Sequence, residues 1–342
     1  MQIRFIVSAP LDSPSGGFFY ARRMIEGLRA AGRSVPVSII PTAHPAPDDA
    51  AREAARVALA GAETLLIDGL ALPAFVGMGD ALAEAGALGF VHNAVALGDG
   101  VPDTARPALR NTALRLLPRL RRVIASSEAV AGRLAEEFGA DPQRIRVVVP
   151  GTDDAPRAQG SGGPGCAILS VGALIPRKGH DVLLRALARL FDLDWRLTIV
   201  GSATRDPEHA RALKELATSL RIEAQVRFAG ALGDAELDRL WNESDLFALA
   251  SNWEAYGAAV ADALRRGLPV AVTNGGAGAA LVPPEAGVVV SPGDWEQLSK
   301  ALRRLIFSPE LRRDMGEVAW EAGRKLPTWP EQVQAFARAL AD

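Results

Sequence analysis

Two hydrophobic rhythms alternate along the chain. Short apolar runs at residues 3–8, 35–40, 64–68, 89–92, 123–126 and 146–149 read as strands. Between them, residues 18–31, 50–60, 73–85 and 105–117 place apolar positions at helical spacing, the first ending at Gly32. The second half repeats the rhythm more cleanly. Strands are predicted at 167–172, 196–201, 225–229, 246–250, 269–273 and 288–290, with helices at 181–191, 207–220, 234–241, 257–266 and several more from 294 onward. Strands that alternate with helices predict parallel, helix-covered sheets, so the expected class is α/β with two Rossmann-like, doubly wound domains.

Length and composition agree with that class. A chain of 342 residues exceeds one ordinary core and suits two domains. The turn-rich stretch 156–165 reads as a flexible connector, which sets the expected domains at 1–158 and 165–325, with 326–342 as a final helix. That stretch spells G-x-G-x-x-G at Gly160, Gly162 and Gly165, but it precedes a strand instead of following one and contains Pro164, so it fails as a dinucleotide fingerprint. No Walker A sequence is present, because Arg177 and not glycine precedes Lys178.

Lys plus Arg number 38 against 40 Asp plus Glu, so no global basic field exists to hold nucleic acid. The single cysteine, Cys166, excludes an internal disulfide and is expected in a buried strand. His44, His92, His180 and His209 lie far apart without metal-ligand spacing. No apolar run approaches the roughly 18 residues of a membrane-spanning helix. A cytoplasmic protein is expected, without metal or cofactor.

Ligands of open parallel sheets bind beyond the carboxyl ends of the strands, which directs attention to four turns. The first ends in Gly16-Gly17 and opens a helix, where backbone N–H groups can approach a phosphate. The second, Gly172 to Asp181, carries Arg177 and Lys178, a planar fork and a point charge suited to a diphosphate. Lysine there is telling, since the chain has only four. His180 is expected to cap that turn or to be solvated. The third places Glu254 ahead of a helix and Asp262 eight residues on, with the amides of Tyr256, Gly257 and Ala258 at the helix start. The fourth is Asn274-Gly275-Gly276. Each has a bland alternative: an unliganded glycine turn, a solvated basic turn, or a carboxylate that only caps a helix.

Together these turns resemble the retaining glycosyltransferases of family 4, which have the GT-B architecture of two Rossmann-like domains facing each other across a cleft. The matching motifs are G-x-x-x-x-x-K-G at Gly172 to Gly179, two acids separated by seven residues at Glu254 and Asp262, and Gly267-Leu268-Pro269-Val270. The family's second acid is usually glutamate, so Asp262 is a departure, one methylene shorter. The resemblance implies a nucleotide-diphosphate-sugar donor, with Arg177 and Lys178 on the diphosphate, Gly172 in that turn, Glu254 by the sugar and Asp262 on the ribose. It assigns Gly16 and Gly17 to the donor phosphate and His92, in Val91-His92-Asn93, to the reacting sugar; a hydrogen-bonded histidine at a strand end is the alternative. Ser126-Ser127-Glu128 resembles the family's serine at the cleft, and the final helix is implied to return to the first domain.

The implied reaction retains anomeric configuration by front-face attack on the donor, without metal. Asp192-Leu193-Asp194 stands in a helix-to-strand connection, away from the strand ends where a metal-binding Asp-x-Asp belongs. The acceptor is expected to be a hydroxyl of a glycan, glycolipid or small molecule. Arg106, Arg110, Arg115, Arg119, Arg121 and Arg122 alternate with leucines and no acid, a pattern compatible with peripheral contact with the inner face of a membrane through 104–122 or with an ordinary solvated helix. A nonhydrolysing sugar-nucleotide epimerase and a noncatalytic sugar-nucleotide-binding protein are the competing readings.

Overall fold

The computed structural model describes residues 3–9, 11, 16–41, 46–61, 63–92, 101 and 104–341. Ser13, Pro14, Ser15, His44 and Asn93 lie outside the described residues. The chain divides into two units, Met1–Gly151 with Pro327–Asp342, and Thr152–Leu326.

In the first unit the order is β1 (Ile3–Ser8), α1 (Gly16–Ala30), β2 (Val37–Ile40), α2 (Asp49–Leu59), β3 (Thr64–Asp68), α3 (Gly79–Glu84), β4 (Leu88–Val91), α4 (Arg106–Leu116), β5 (Arg122–Ala125), α5 (Glu128–Phe138) and β6 (Ile145–Val147). Its six strands form one parallel sheet in the order β2-β1-β3-β4-β5-β6. Burial on both faces explains why β4 and β5 read as continuous runs. Strand order reverses between β1 and β3, and that reversal opens a crevice at their carboxyl ends.

Two elements differ from expectation. Residues 73–85 do not make one helix: a 3₁₀ turn at Leu72–Phe75 ends before Gly77, whose φ of 82° is left-handed, and α3 starts afterwards. Residues 128–138, unassigned from sequence, form α5, capped by Ser127 Oγ accepting from the Val130 amide at 3.1 Å and closed by left-handed Gly139. The chain returns to this unit as α12 (Trp329–Ala341), which packs on α1 where Gly27 leaves room for Val333. Phe336 meets Phe90 edge-on at 5.3 Å, and buried Arg122 donates to the Ala339 carbonyl at 2.8 Å.

The second unit runs β7 (Cys166–Val171), α6 (His180–Ala188), β8 (Trp195–Val200), α7 (Pro207–Ser219), β9 (Val226–Gly230), α8 (Asp234–Asn242), β10 (Leu246–Leu249), α9 (Ala258–Arg265), β11 (Val270–Thr273), β12 (Gly287–Val290), α10 (Trp295–Phe307) and α11 (Pro309–Arg324). Its parallel sheet has the order β12-β11-β10-β7-β8-β9, so the reversal falls between β7 and β10. Cys166 is buried at the start of β7, where burial pushes its thiol up to about 12.

The stretch 156–165 is not a loose connector. The Ala158 amide donates to the Arg266 carbonyl, those of Gln159 and Gly160 to Asn242, and Ser161 binds Asp245, all within the second unit. Arg157 pairs with both oxygens of Glu317. The division of the chain therefore falls earlier, between Gly151 and Thr152. Among the described residues, no helix is long and apolar enough to cross a membrane.

Phe336 is fully buried and belongs to the first unit's core although it lies near the end of the chain. Phe336→Ala should therefore cost about 3–5 kcal/mol of that unit's stability, measured by urea unfolding. Loss below about 1 kcal/mol would show that α12 adds little to the core.

Candidate functional site

Three consecutive strands of the second sheet, β11, β10 and β7, deliver their following turns to one place. The turn after β7 bends at left-handed Gly179 (φ 61°), where any side chain would overlap the Ala250 carbonyl. That close approach lets the Asn252 amide donate to the Arg177 carbonyl at 2.7 Å. The Glu254 amide donates to Gly275 and its carbonyl accepts from Ala277, which ties in the turn after β11. Glu254 is thus fixed through its backbone on one side and its side chain on the other.

Its carboxylate is the centre of the cluster. Lys178 Nζ donates to Glu254 Oε1 at 2.6 Å, Ser251 Oγ donates to the same oxygen at 2.6 Å, and Arg177 Nη1 stands 3.8 Å away. Arg177 also donates to the Trp253 carbonyl at 2.5 Å. Lys178 and Glu254 side chains are only 14% and 13% exposed. Burial works against the charged carboxylate, but Lys178, Arg177 and the bond from Ser251 outweigh it and hold Glu254 below the usual glutamate range. Removing one partner of such a buried pair costs about 3–5 kcal/mol, because a buried charge is left behind. Gly172 has a packing reason as well: a side chain there would press on the Lys178 stem.

The two predicted carboxylates have separate surroundings. Asp262, on α9, stands 3.9 Å from Arg266 and is 45% exposed. Burial pushes its pKa up to about 6, opposed by Arg266 and reinforced by the negative charges of Asp153 and Asp238. Gly257 caps α9 in a left-handed conformation (φ 99°), with Ala258 as the first helical residue. Tyr256 is buried, its hydroxyl has no hydrogen-bond partner among the described residues, and burial raises its pKa to about 12.

His180 differs from expectation. It is fully buried, with Nε2 3.2 Å from the Gly172 carbonyl, and burial lowers its pKa to about 4. It is a neutral histidine inside the turn, not a solvated cap.

In the first unit the structure brings Gly17 and His92 together: a methyl group at 17 would overlap the imidazole, whereas one at Gly16 would meet nothing among the described residues. Ser126 Oγ donates to the His92 carbonyl at 3.0 Å. Sequence reasoning passed over Asp68 and Ser251. The signal for Asp68 was an acid closing an apolar strand, and for Ser251 a hydroxyl three residues before Glu254.

Three of the six arginines of 104–122 have partners within the first unit. Arg122 is buried, Arg110 stands 3.9 Å from Glu137 and lies over the Phe138 ring, and Arg119 pairs with Asp80 at 3.0 Å. Asp192, in the Asp-x-Asp stretch, is held by both terminal nitrogens of Arg303 at 2.7 Å, ahead of β8 and so at the amino end of the strands.

Comparison with known proteins names the second unit. Residues 153–321 match the family model described as glycosyl transferases group 1. This unit belongs to the group 1 glycosyl transferases. Curated relatives of the chain include a D-inositol 3-phosphate glycosyltransferase of Rhodococcus opacus, 34% identical over 227 residues, covering 60% of this chain and 50% of that protein. Another, D-inositol 3-phosphate glycosyltransferase 2 of Catenulispora acidiphila, is 32% identical over 280 residues, covering 75% of this chain and 64% of that one. The chain spans about half the length of most of the curated relatives it matches. Among solved structures, a sucrose-phosphate synthase from Thermosynechococcus elongatus superposes with a TM-score of 0.83 at 18% identity, covering 100% of this chain and 98% of that one. Anabaena HepE, solved in complex with UDP-glucose, superposes at 0.79 with 20% identity and 99% coverage of each chain. These likenesses show that the chain has the GT-B fold.

A carboxyl whose folded pKa is raised binds more protons folded than unfolded, so it favours the fold at low pH. With Asp262 raised from 3.8 to about 6, wild type should gain stability relative to Asp262→Asn as pH falls from 7 to 4. The gain should be small, because a half-open carboxylate is screened by solvent. Thermal unfolding of both proteins across that range checks it; parallel profiles would count against a perturbed Asp262.

Proposed function

We propose that this chain transfers a glycosyl group from a nucleotide-diphosphate-sugar to a hydroxyl acceptor. The observation that carries the reading is the cluster of Arg177, Lys178 and Glu254 at the reversal of strand order between β7 and β10. A noncatalytic fold needs no two cations and one carboxylate converging there. Support also comes from the relatives' name and from the neighbour solved with UDP-glucose, which makes UDP-sugars the first donors and D-inositol 3-phosphate the first acceptor to try.

Breaking the anomeric C–O bond places negative charge on the departing diphosphate, and stabilising that charge is the main electrostatic task. Arg177 and Lys178 supply two cations. The amides of Tyr256, Gly257 and Ala258 at the positive end of α9 add donors. Gly172 keeps the approach to that turn open. In this reading Glu254 orients the donor sugar by accepting from its hydroxyls, and Asp262 accepts from the ribose. Gly16, Gly17 and His92 form a separate group within the first unit, where Gly17 lies against the imidazole. The acceptor hydroxyl attacks from the face the diphosphate leaves, and the diphosphate takes its proton, so configuration is retained with no nucleophile from the protein. The cationic turn and helix amides supply the charge a metal would otherwise bring, so transfer is proposed to need none.

Lys178→Ala should lower kcat on the order of 100–1000-fold. Glu254→Gln should abolish most transfer while leaving nucleotide binding, read as a thermal shift with UDP, close to wild type. Unfolding midpoints measured alongside separate loss of chemistry from loss of fold. A product assay distinguishes a new glycoside from an isomerised donor, and transfer that survives Lys178→Ala or vanishes with EDTA would overturn the assigned roles.

A further inference from the structure

Asp68 ends β3, next to the reversal of strand order in the first sheet, and none of its surface reaches solvent. Its Oδ1 accepts from the Leu70 amide at 2.7 Å. Its Oδ2 has no hydrogen-bond partner among the described residues. Facing it at 3.8 Å is Nδ1 of His92, a side chain 14% exposed whose Nδ1 is itself buried and has no hydrogen-bond partner among the described residues. Two orphaned buried polar atoms that face each other are each the other's nearest remedy, because leaving either unmade carries its full desolvation cost.

The opposite edge of the ring decides where its proton sits. His92 Nε2 lies against Gly17, the second residue of α1, so closely that no side chain fits between them. The first amides of a helix have no partner within it and carry its positive end. A proton on Nε2 would point at that positive end, whereas a proton on Nδ1 points at Asp68 Oδ2. Both neighbours favour the same tautomer. Burial pushes the Asp68 carboxyl up, while His92 and the Leu70 amide pull it down, so a ring N–H aimed at Oδ2 also offsets the cost of a charge buried there.

We infer that Asp68 is a positioning residue: it holds the proton of His92 on Nδ1 and keeps Nε2 as an unprotonated acceptor beside the amino end of α1, aimed at a hydroxyl of the sugar substrate. The destination of Nε2 rests on the glycosyl-transfer reading, whereas the tautomer does not. The second nitrogen of a functional histidine is commonly fixed in this way by a carboxylate, and an amide in its place offers N–H to the ring and reverses the tautomer.

The test is Asp68→Asn, which keeps the size of the side chain and its bond to the Leu70 amide. In the ¹⁵N spectrum of histidine-labelled protein, with His92 assigned through His92→Gln, wild type should show the proton on Nδ1 and Asp68→Asn should move it to Nε2. Turnover should fall by about 10–100-fold in kcat, the range for partners that orient a ligand-contacting histidine. Donor KM should change little. The unfolding midpoint should not fall, since the substitution removes a buried charge. On a His92→Gln background, Asp68→Asn should add no further loss. A wild-type ring protonated on Nε2, an unchanged spectrum in Asp68→Asn, or a loss that persists without His92 would each overturn the inference. A chain that transfers no sugar at all would overturn the reaction reading, and the spectra would still decide the role of Asp68.

Discussion

The Lys178–Glu254 ion pair is the interaction on which the second unit's site depends. A carboxylate that is nearly buried at the end of a parallel sheet is costly unless its charge is met, and three groups from two turns meet it. The same residue anchors the turn after β11 through its backbone amide and carbonyl. One residue therefore couples three turns, 76 residues from Lys178 to Glu254 and 21 from Glu254 to Gly275, across neighbouring strands whose order is set by the crossover connections.

The sheet determines why those turns meet. Right-handed crossovers place every βα turn at the carboxyl end of the strands, and reversal of strand order separates the helices on either side of the switch. In the second unit that gap lies between β7 and β10, beside Arg177, Lys178 and Glu254; in the first it lies between β1 and β3, beside Gly17 and Asp68. The two units thus use one geometric rule with different chemistry: a cationic turn against a carboxylate in one, and an imidazole wedged between a buried carboxylate and a helix end in the other.

What the sequence disclosed follows from which forces are local. Strand and helix alternation, the glycine at 179 and the charges at 177, 178 and 254 are local features, and apart from 73–85 and the helix 128–138 they stand where the pattern placed them. The partner of Glu254 is not local, and nothing in the residues at 251–262 distinguishes a helix cap from the carboxylate of an ion pair 76 residues away. The stretch 156–165 misleads for the same reason. Its glycines and prolines describe a chain without regular structure, but its backbone bonds to Asn242 and Arg266 make it part of the second unit. The arginines of 104–122 carry no local sign of their partners: Glu137, Asp80 and the Ala339 carbonyl, which engage three of them, are remote or on other elements. Asp68 was hidden by its position, since an acid at a strand end ordinarily faces water and here it is sealed.

The geometry of Lys178 also bears on how a diphosphate would be received. In the structure its ammonium is engaged by Glu254, with Arg177 behind it, so the cluster carries one net positive charge and not two free cations. An arriving diphosphate must then share Lys178 with Glu254 or draw it away. Drawing it away leaves a buried carboxylate that needs new donors, and the hydroxyls of a bound sugar are donors of the right kind. A nucleotide without its sugar offers the cations a partner but leaves Glu254 short of one. In the proposed reading the complete donor would answer both needs at once, and the nucleotide alone only one.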